Sequence, residues 1–303
     1  MALALLSAIG FSWKAILAKL AYRTGVGPMT VVGLRMAFSL PAYAGLAWIG
    51  RQQSPSPLSR RDYVEVAVLA LGGFYIATFL DFLGLTYISA GLERLILFLH
   101  PAIVVAIAAR LHGRRITRRE ALAMLLGYGG IAFVFLGDAG GGRSSGAWIG
   151  ALAVLAGSVA YAAYLAFSES VVARLGATRF TGLSMTIASV AGVVQFAATR
   201  AVSPETIPMK AVWLCAAIAA FATVVPTWLL NQAIRRIGSG RAALLGMSGP
   251  IATMVLETVV LGEPASAADV AGTACALVGI VLLTTERPRA VRSATPESLS
   301  EPS

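Results

Sequence analysis

The chain has 303 residues, 57% of them hydrophobic and 13% charged, with mean hydropathy +0.79 and formal net charge +10. Ordinary soluble domains carry about 25% charged residues, so that class is excluded. The basic excess does not point to nucleic acid, because the arginines stand in short loops between apolar runs rather than along one polar helix face.

Apolar runs of about 20 residues are long enough to cross the hydrocarbon core as helices. Ten such runs are predicted, near 2–22, 29–50, 64–85, 90–111, 120–137, 148–168, 180–200, 211–233, 240–261 and 268–285. The first begins without a basic leader and carries Lys14, which would interrupt a signal peptide, so it reads as a retained span. The fold expected is therefore an all-α membrane protein of ten transmembrane helices. Residues 1–137 form a first repeat and 138–147 a glycine-rich linker. Residues 148–286 form a second repeat and 287–303 a disordered tail.

The repeat is visible in register. A shift of 149 residues lays Ile88 on Ile237, Gly91 on Gly240, Leu95 on Leu244, Pro101 on Pro250 and Gly113 on Gly262, and Gly130-Ile131 on Gly279-Ile280. With five spans per copy, the second copy enters the membrane inverted, an architecture of secondary transporters that bind substrate between the halves. Orientation follows from the basic residues. Sixteen lie on the side of the N-terminus and four opposite, and the remaining four (Lys14, Lys19, Arg35 and Arg94) lie within spans. Both termini are thus expected in the cytoplasm.

The opening run Gly10-Phe11-Ser12-Trp13-Lys14-Ala15-Ile16 with Lys19-Leu20-Ala21-Tyr22 resembles that of bacterial EamA-type transporters. So do Pro28-Met29-Thr30 with Leu34-Arg35, the stretch from Glu93-Arg94-Leu95 to His100-Pro101, and Leu261-Gly262-Glu263-Pro264. The resemblance to the drug/metabolite transporter superfamily spans nearly the whole chain. It implies ten helices, inverted repeats, a plasma-membrane location (the bacterial inner membrane) and movement of small organic metabolites. His100 stands where that family is expected to have tyrosine, and Trp13 where it often has a small polar residue. Small multidrug exporters of the superfamily need a mid-membrane glutamate in span 1. Lys14 in that region argues against a cationic-drug/proton antiporter.

A charge at the bilayer centre costs about 2.5–3.5 kcal/mol on insertion scales, so intramembrane charges pair, snorkel or line water. Arg35 and Arg94 with Asp81 and Glu93 are expected to form an outer ion-pair cluster, either structural or an extracellular gate. Lys19 and Glu257 lie shallow. Lys14 lies deep, with Ser7 and Phe11 on its helical face. Either a structural partner such as Asp81 holds it, or it lines a cavity and meets a substrate anion. His100 shares a face of span 4 with Glu93 and is either a proton relay or a neutral, hydrogen-bonded histidine.

Tyr161 and Tyr164 with Ser168 line one face of span 6, and Trp228 and Asn231 with Gln232 lie on span 8. With Tyr75 these aromatic and amide groups complete the substrate-binding candidates, against the plainer reading of packing. Pro101 and Pro250 are expected as paired hinges, and Pro41 and Pro226 as further interruptions. Ala153, Gly157, Gly272 and Ala276 read as close-approach positions. Cys215 and Cys275 lie in apolar runs without ligand spacing, so neither metal nor cofactor is expected.

No HExxH, nucleophile elbow or GK[ST] loop occurs, which points away from an enzyme. The function expected is export of an amino acid or other small carboxylate by alternating access, with proton coupling one option. The alternatives are an exchanger of phosphorylated metabolites, a drug exporter of the same fold, and a passive channel or scaffold. The partners are thus a small-molecule substrate and the lipid bilayer.

Overall fold

In a computed structural model, the polar groups turn inward and large apolar side chains turn out. Phe38, Trp48, Trp213 and Phe221 are exposed, while Ser12, Arg35, Asp81 and Glu93 are buried. Lipid rewards that inversion. The structure describes residues 1–53, 57–97, 99–111, 117–118, 146–199, 206–237, 248–263 and 265–284, with short helical pieces between 121 and 132 and at 245–246. Among them there is no strand.

The helices are α1 (Ala2–Tyr22), α2 (Pro28–Gln53), α3 (Arg60–Gly84), α4 (Ala90–Leu97), α5 (His100–Leu111), α6 (Ala147–Leu175) and α7 (Ala177–Thr199). They continue as α8 (209–237), α9 (Ser248–Leu261) and α10 (Ala267–Thr284). Six of these, α1, α2, α3, α6, α7 and α8, hold stretches long and apolar enough to cross a bilayer. The fourth expected span is two shorter helices, α4 and α5, and the ninth is the shorter α9. The fifth, with the linker and the tail, falls outside the described residues apart from those short helical pieces and Gly146-Ala147.

Of the expected interruptions, the one at Pro101 coincides with the break between α4 and α5. Pro41 lies inside the continuous α2. Pro101 is the second residue of α5, and Pro250 the third of α9. A first turn tolerates proline because its N–H has no intrahelical acceptor. The irregularities that do occur inside helices are π turns at Leu69–Tyr75 in α3, Ala220–Val224 in α8 and Glu257–Leu261 in α9. The first two coincide under the 149-residue shift. Gly262 ends α9 at φ +73°, a left-handed conformation that glycine adopts without penalty.

Packing repeats when the halves are exchanged. α1 lies against α8 and α9, and α6 lies against α3 and against α4 and α5, while α2 crosses α7. The α2–α7 crossing is close because glycine removes a side chain. A Cβ at Gly182 would press on the Ala47 and Leu46 backbone, and one at Gly33 on the Phe196 side chain. Gly157 likewise brings α6 onto the Ala77 carbonyl of α3. Ser59 and Asp62 cap the start of α3 reciprocally, and Ser266 and Asp269 make the same contacts at α10.

Candidate substrate cavity

Between the halves lies a cavity of about 440 Å³. Its charged floor is built from α1, α2 and α3, with α4 behind it. Lys14 Nζ donates to Asp81 Oδ2 at 2.6 Å and to Glu93 Oε1 at 2.7 Å. The Glu93 side chain is 0% exposed, so its charge is held wholly inside the protein. Asp81 Oδ1 and Glu93 Oε2 are buried with no donor.

Arg35 and Lys14 both lie beside the Phe82 ring. The Arg35 Cζ is 5.0 Å from the ring centroid, and Lys14 Nζ is 5.7 Å from the same centroid. The guanidinium has five N–H donors. It makes one long hydrogen bond, 3.5 Å from Nη1 to Thr223 Oγ1, and Nε has no acceptor. Thr223 sits in the α8 π turn, and its hydroxyl also donates to the Ile218 carbonyl at 2.9 Å. Such turns frequently mark functional sites. Arg35 is therefore buried, faces the cavity, and is under-supplied with acceptors.

Of the outer cluster expected for Arg35, Arg94, Asp81 and Glu93, the two acids and Arg35 are arranged otherwise. Both carboxylates contact Lys14, and Arg35 turns to Thr223. The reason is reach. Lys14 extends from α1 into the gap between α3 and α4, and an ammonium with three donors serves both acids. Arg94 neighbours Glu93 on α4.

The cavity wall is aromatic. Tyr161 and Tyr164 stack at 5.7 Å between centroids, Tyr164 stacks on Phe180 at 5.7 Å, and Phe74 meets both tyrosines at an angle. Tyr164 Oη and Ser184 Oγ are 3.1 Å apart. His100 lines the cavity with its ring edge against Tyr161, and Nε2 is 3.3 Å from Ser158 Oγ.

Lys14, Phe11, His100, Tyr161 and Tyr164 thus converge on one space. Other candidates lie elsewhere. Ser7 is 1% exposed and donates to the Pro226 carbonyl at 2.8 Å, tying α1 to α8. Tyr75 packs beside the apolar core. Trp228 is 60% exposed. The side chains of Asn231 and Pro101 are outside the described set. Tyr43, Phe74, Thr78, Phe82 and Thr223 line the cavity without having been singled out by sequence. The available signal was hydroxyl and aromatic groups one helical face away from Asp81 and Arg35.

Hydrogen bonds cross the opposite end. Tyr22 Oη donates to the Phe82 carbonyl at 2.7 Å. Arg23 donates to the Leu261 carbonyl at 3.0 Å and Glu263 at 3.3 Å. The Glu257 carboxylate accepts from the N–H groups of Ala90 and Gly91 at 2.6 and 2.8 Å, capping the first turn of α4. Among the described residues, no three His, Cys, Asp or Glu side chains converge as a metal site needs.

Comparison with known proteins gives the family. The model of the EamA-like transporter family matches the chain twice, over residues 1–136 and 148–285. The chain is 30% identical over 263 residues to the uncharacterized transporter YcbK of Bacillus subtilis, covering 86% of this chain and 84% of that one. It is 27% identical over 225 residues to the uncharacterized transporter YyaM of the same organism, with 73% of each covered. A crystal structure 19% identical covers 91% of this chain and 95% of its own at a TM-score of 0.59, a likeness of fold. With the family matched across both halves and its helices carrying polar groups inward, this chain is a multi-pass membrane protein of the EamA-like transporter family.

Proposed function

We propose that the protein is a secondary carrier for a small zwitterionic carboxylate, an amino acid in the simplest case, working by alternating access with export favoured. The observation that carries this reading is the complementary pair of unmet groups on the cavity floor. Arg35 has donors without acceptors, and Asp81 has an acceptor without a donor. A substrate carboxylate completes the first and an ammonium the second. Both then gain charge-assisted hydrogen bonds in a low-dielectric site. Lys14, whose ammonium already serves two acids, orients Asp81 rather than holding substrate.

The aromatic wall supplies apolar surface for the rest of the molecule. A cavity of about 440 Å³ lies within the range of small-molecule sites. Inverted repeats are supported by the double family match and by contacts that survive exchange of the halves. On the basic-residue count the cavity half of the bundle is cytoplasmic, which makes this an inward-facing arrangement.

An exchanger of phosphorylated metabolites fits less well. A doubly charged phosphate would meet one under-bonded cation where Lys14 is already engaged. A passive channel is disfavoured by the tied end.

The test is counterflow in proteoliposomes preloaded with a mixed amino-acid pool. Wild type is expected to accumulate labelled substrate transiently, and Arg35→Gln to lose it while still reconstituting as folded protein. Robust counterflow by Arg35→Gln would move the anion site away from Arg35. No counterflow of any amino acid by wild type would overturn the substrate class.

A further inference from the structure

Two carboxyl groups and one ammonium meet in the floor of the cavity, and their formal charges leave one negative charge unmatched. Asp81 Oδ2 and Glu93 Oε1 both contact Lys14 Nζ, at 2.6 and 2.7 Å, so the two acids face each other across one ammonium. Two carboxylates held this close repel, and one proton taken up between them relieves that repulsion. Each also has a buried oxygen, Oδ1 and Oε2, that receives nothing.

The surrounding groups do not supply the missing donor. On α1, Tyr22 spends its hydroxyl on the Phe82 carbonyl. On α2, Arg35 bonds Thr223, and buried Tyr43 lies beyond it. On α4, Arg94 adjoins Glu93 in sequence. On α5, His100 is directed to Ser158, and on α6 Tyr161 packs on that imidazole. On α8, Cys215 is a buried thiol, and on α9 Glu257 is engaged by Ala90 and Gly91.

We propose that the Asp81–Lys14–Glu93 cluster is a proton-binding site, in which one proton from cavity water adds to a carboxylate oxygen and is shared by the two acids. This rests on the carrier reading above. The mechanical consequence follows from α1. On one side α1 is tied to the second half through Ser7 to the Pro226 carbonyl and Ser12 to the Gly249 carbonyl. On the other, Lys14 ties it to α3 and α4. A proton on either acid neutralises one of Lys14's two partners and loosens only that second tie. A substrate ammonium arriving at Asp81 competes with the proton for the same acid, so the two exchange. Outward movement of the zwitterion is thereby linked to inward movement of one proton.

The first measurement needs no substrate. Infrared spectra of the purified protein in lipid nanodiscs, titrated from mildly acid to mildly alkaline pH, are expected to show a protonated-carboxyl C=O band that shifts in D2O. The band should fade as pH rises and be lost in Glu93→Gln, with Asp81→Asn as the second variant. The control Asp269→Asn keeps it. A band absent in wild type, or unchanged in both variants, overturns the proposal.

The second measurement is the ratio of pH-gradient-driven uptake to exchange in the same proteoliposomes. That ratio is expected to fall to its no-gradient value in Glu93→Gln. Wild-type counterflow indifferent to the gradient would sink the proton site and leave the carrier standing. A titrating band with no counterflow would do the reverse.

Discussion

At the end of the bundle where α1 runs into α2 and α3 into α4, the helices are joined by buried or half-buried hydrogen bonds. Glu257 of the second half caps α4 of the first, and Arg23 reaches the Leu261 carbonyl. At the other end, near Pro57 and Gly176, α6 is joined to α3 through Arg174, which contacts Asp62 at 3.1 Å and also Glu65. Arg174 is 45% exposed there, so water competes for those bonds, whereas Glu257 is 7% exposed. The cavity's wall of Tyr43, Tyr164, Phe180 and Thr181 lies toward this second end. The Glu257 contacts at one end are shielded from water, while the Arg23 contacts beside them and the Arg174 contacts at the other end are open to it. For a carrier, this difference says which end opens at little cost and which must be unlocked.

Four substitutions sharpen or break that comparison. Arg35→Gln has the largest expected effect, since it removes a buried charge-assisted contact to substrate worth about 3 kcal/mol, or roughly a hundredfold in transport. Initial rates of counterflow would read it. Gly182→Leu comes next. It forces a side chain into the Ala47 backbone of α2, and a lowered midpoint in a thermal scan of detergent-solubilised protein is expected.

Glu257→Gln weakens a helix-terminus contact worth about 1–2 kcal/mol, shifting the population toward the opened end by roughly tenfold. Side-specific labelling of a cysteine placed at Thr258 would report it. Arg174→Ala, at the exposed end, should change transport by less than about twofold, because exposed ion pairs contribute about 0–1 kcal/mol. A larger effect for Arg174→Ala than for Glu257→Gln would invert the comparison.

Much of this was legible in the sequence because hydropathy, charge and register are local properties. The positions of α1, α2, α3, α6, α7 and α8 follow from apolar run length, and the family from motifs in both halves. Lys14, Phe11, His100, Tyr161 and Tyr164, singled out from depth and helical face, do line one cavity. What escaped depended on where helices cross. Lys14 lies in α1 and its acids in α3 and α4, and no sequence spacing says that one ammonium will serve both. The same holds for Arg35, whose neighbour Thr223 is 188 positions away and presented by a π turn. Trp228, singled out for the cavity, is exposed instead, and nothing in its local spacing says which face of the helix meets the other helices.

The central claim is that one cavity is reached from one face of the membrane at a time. With Cys215 and Cys275 replaced by alanine, a single cysteine at Thr181 on the cavity wall can be challenged with a membrane-impermeant thiol reagent from either face. The account predicts labelling from the face carrying Pro57 and Gly176, slowed by transported substrate, and resistance from the other face until Glu257→Gln is added. Labelling from both faces at once in the unmodified background would mean an open pore, and the carrier account would be wrong.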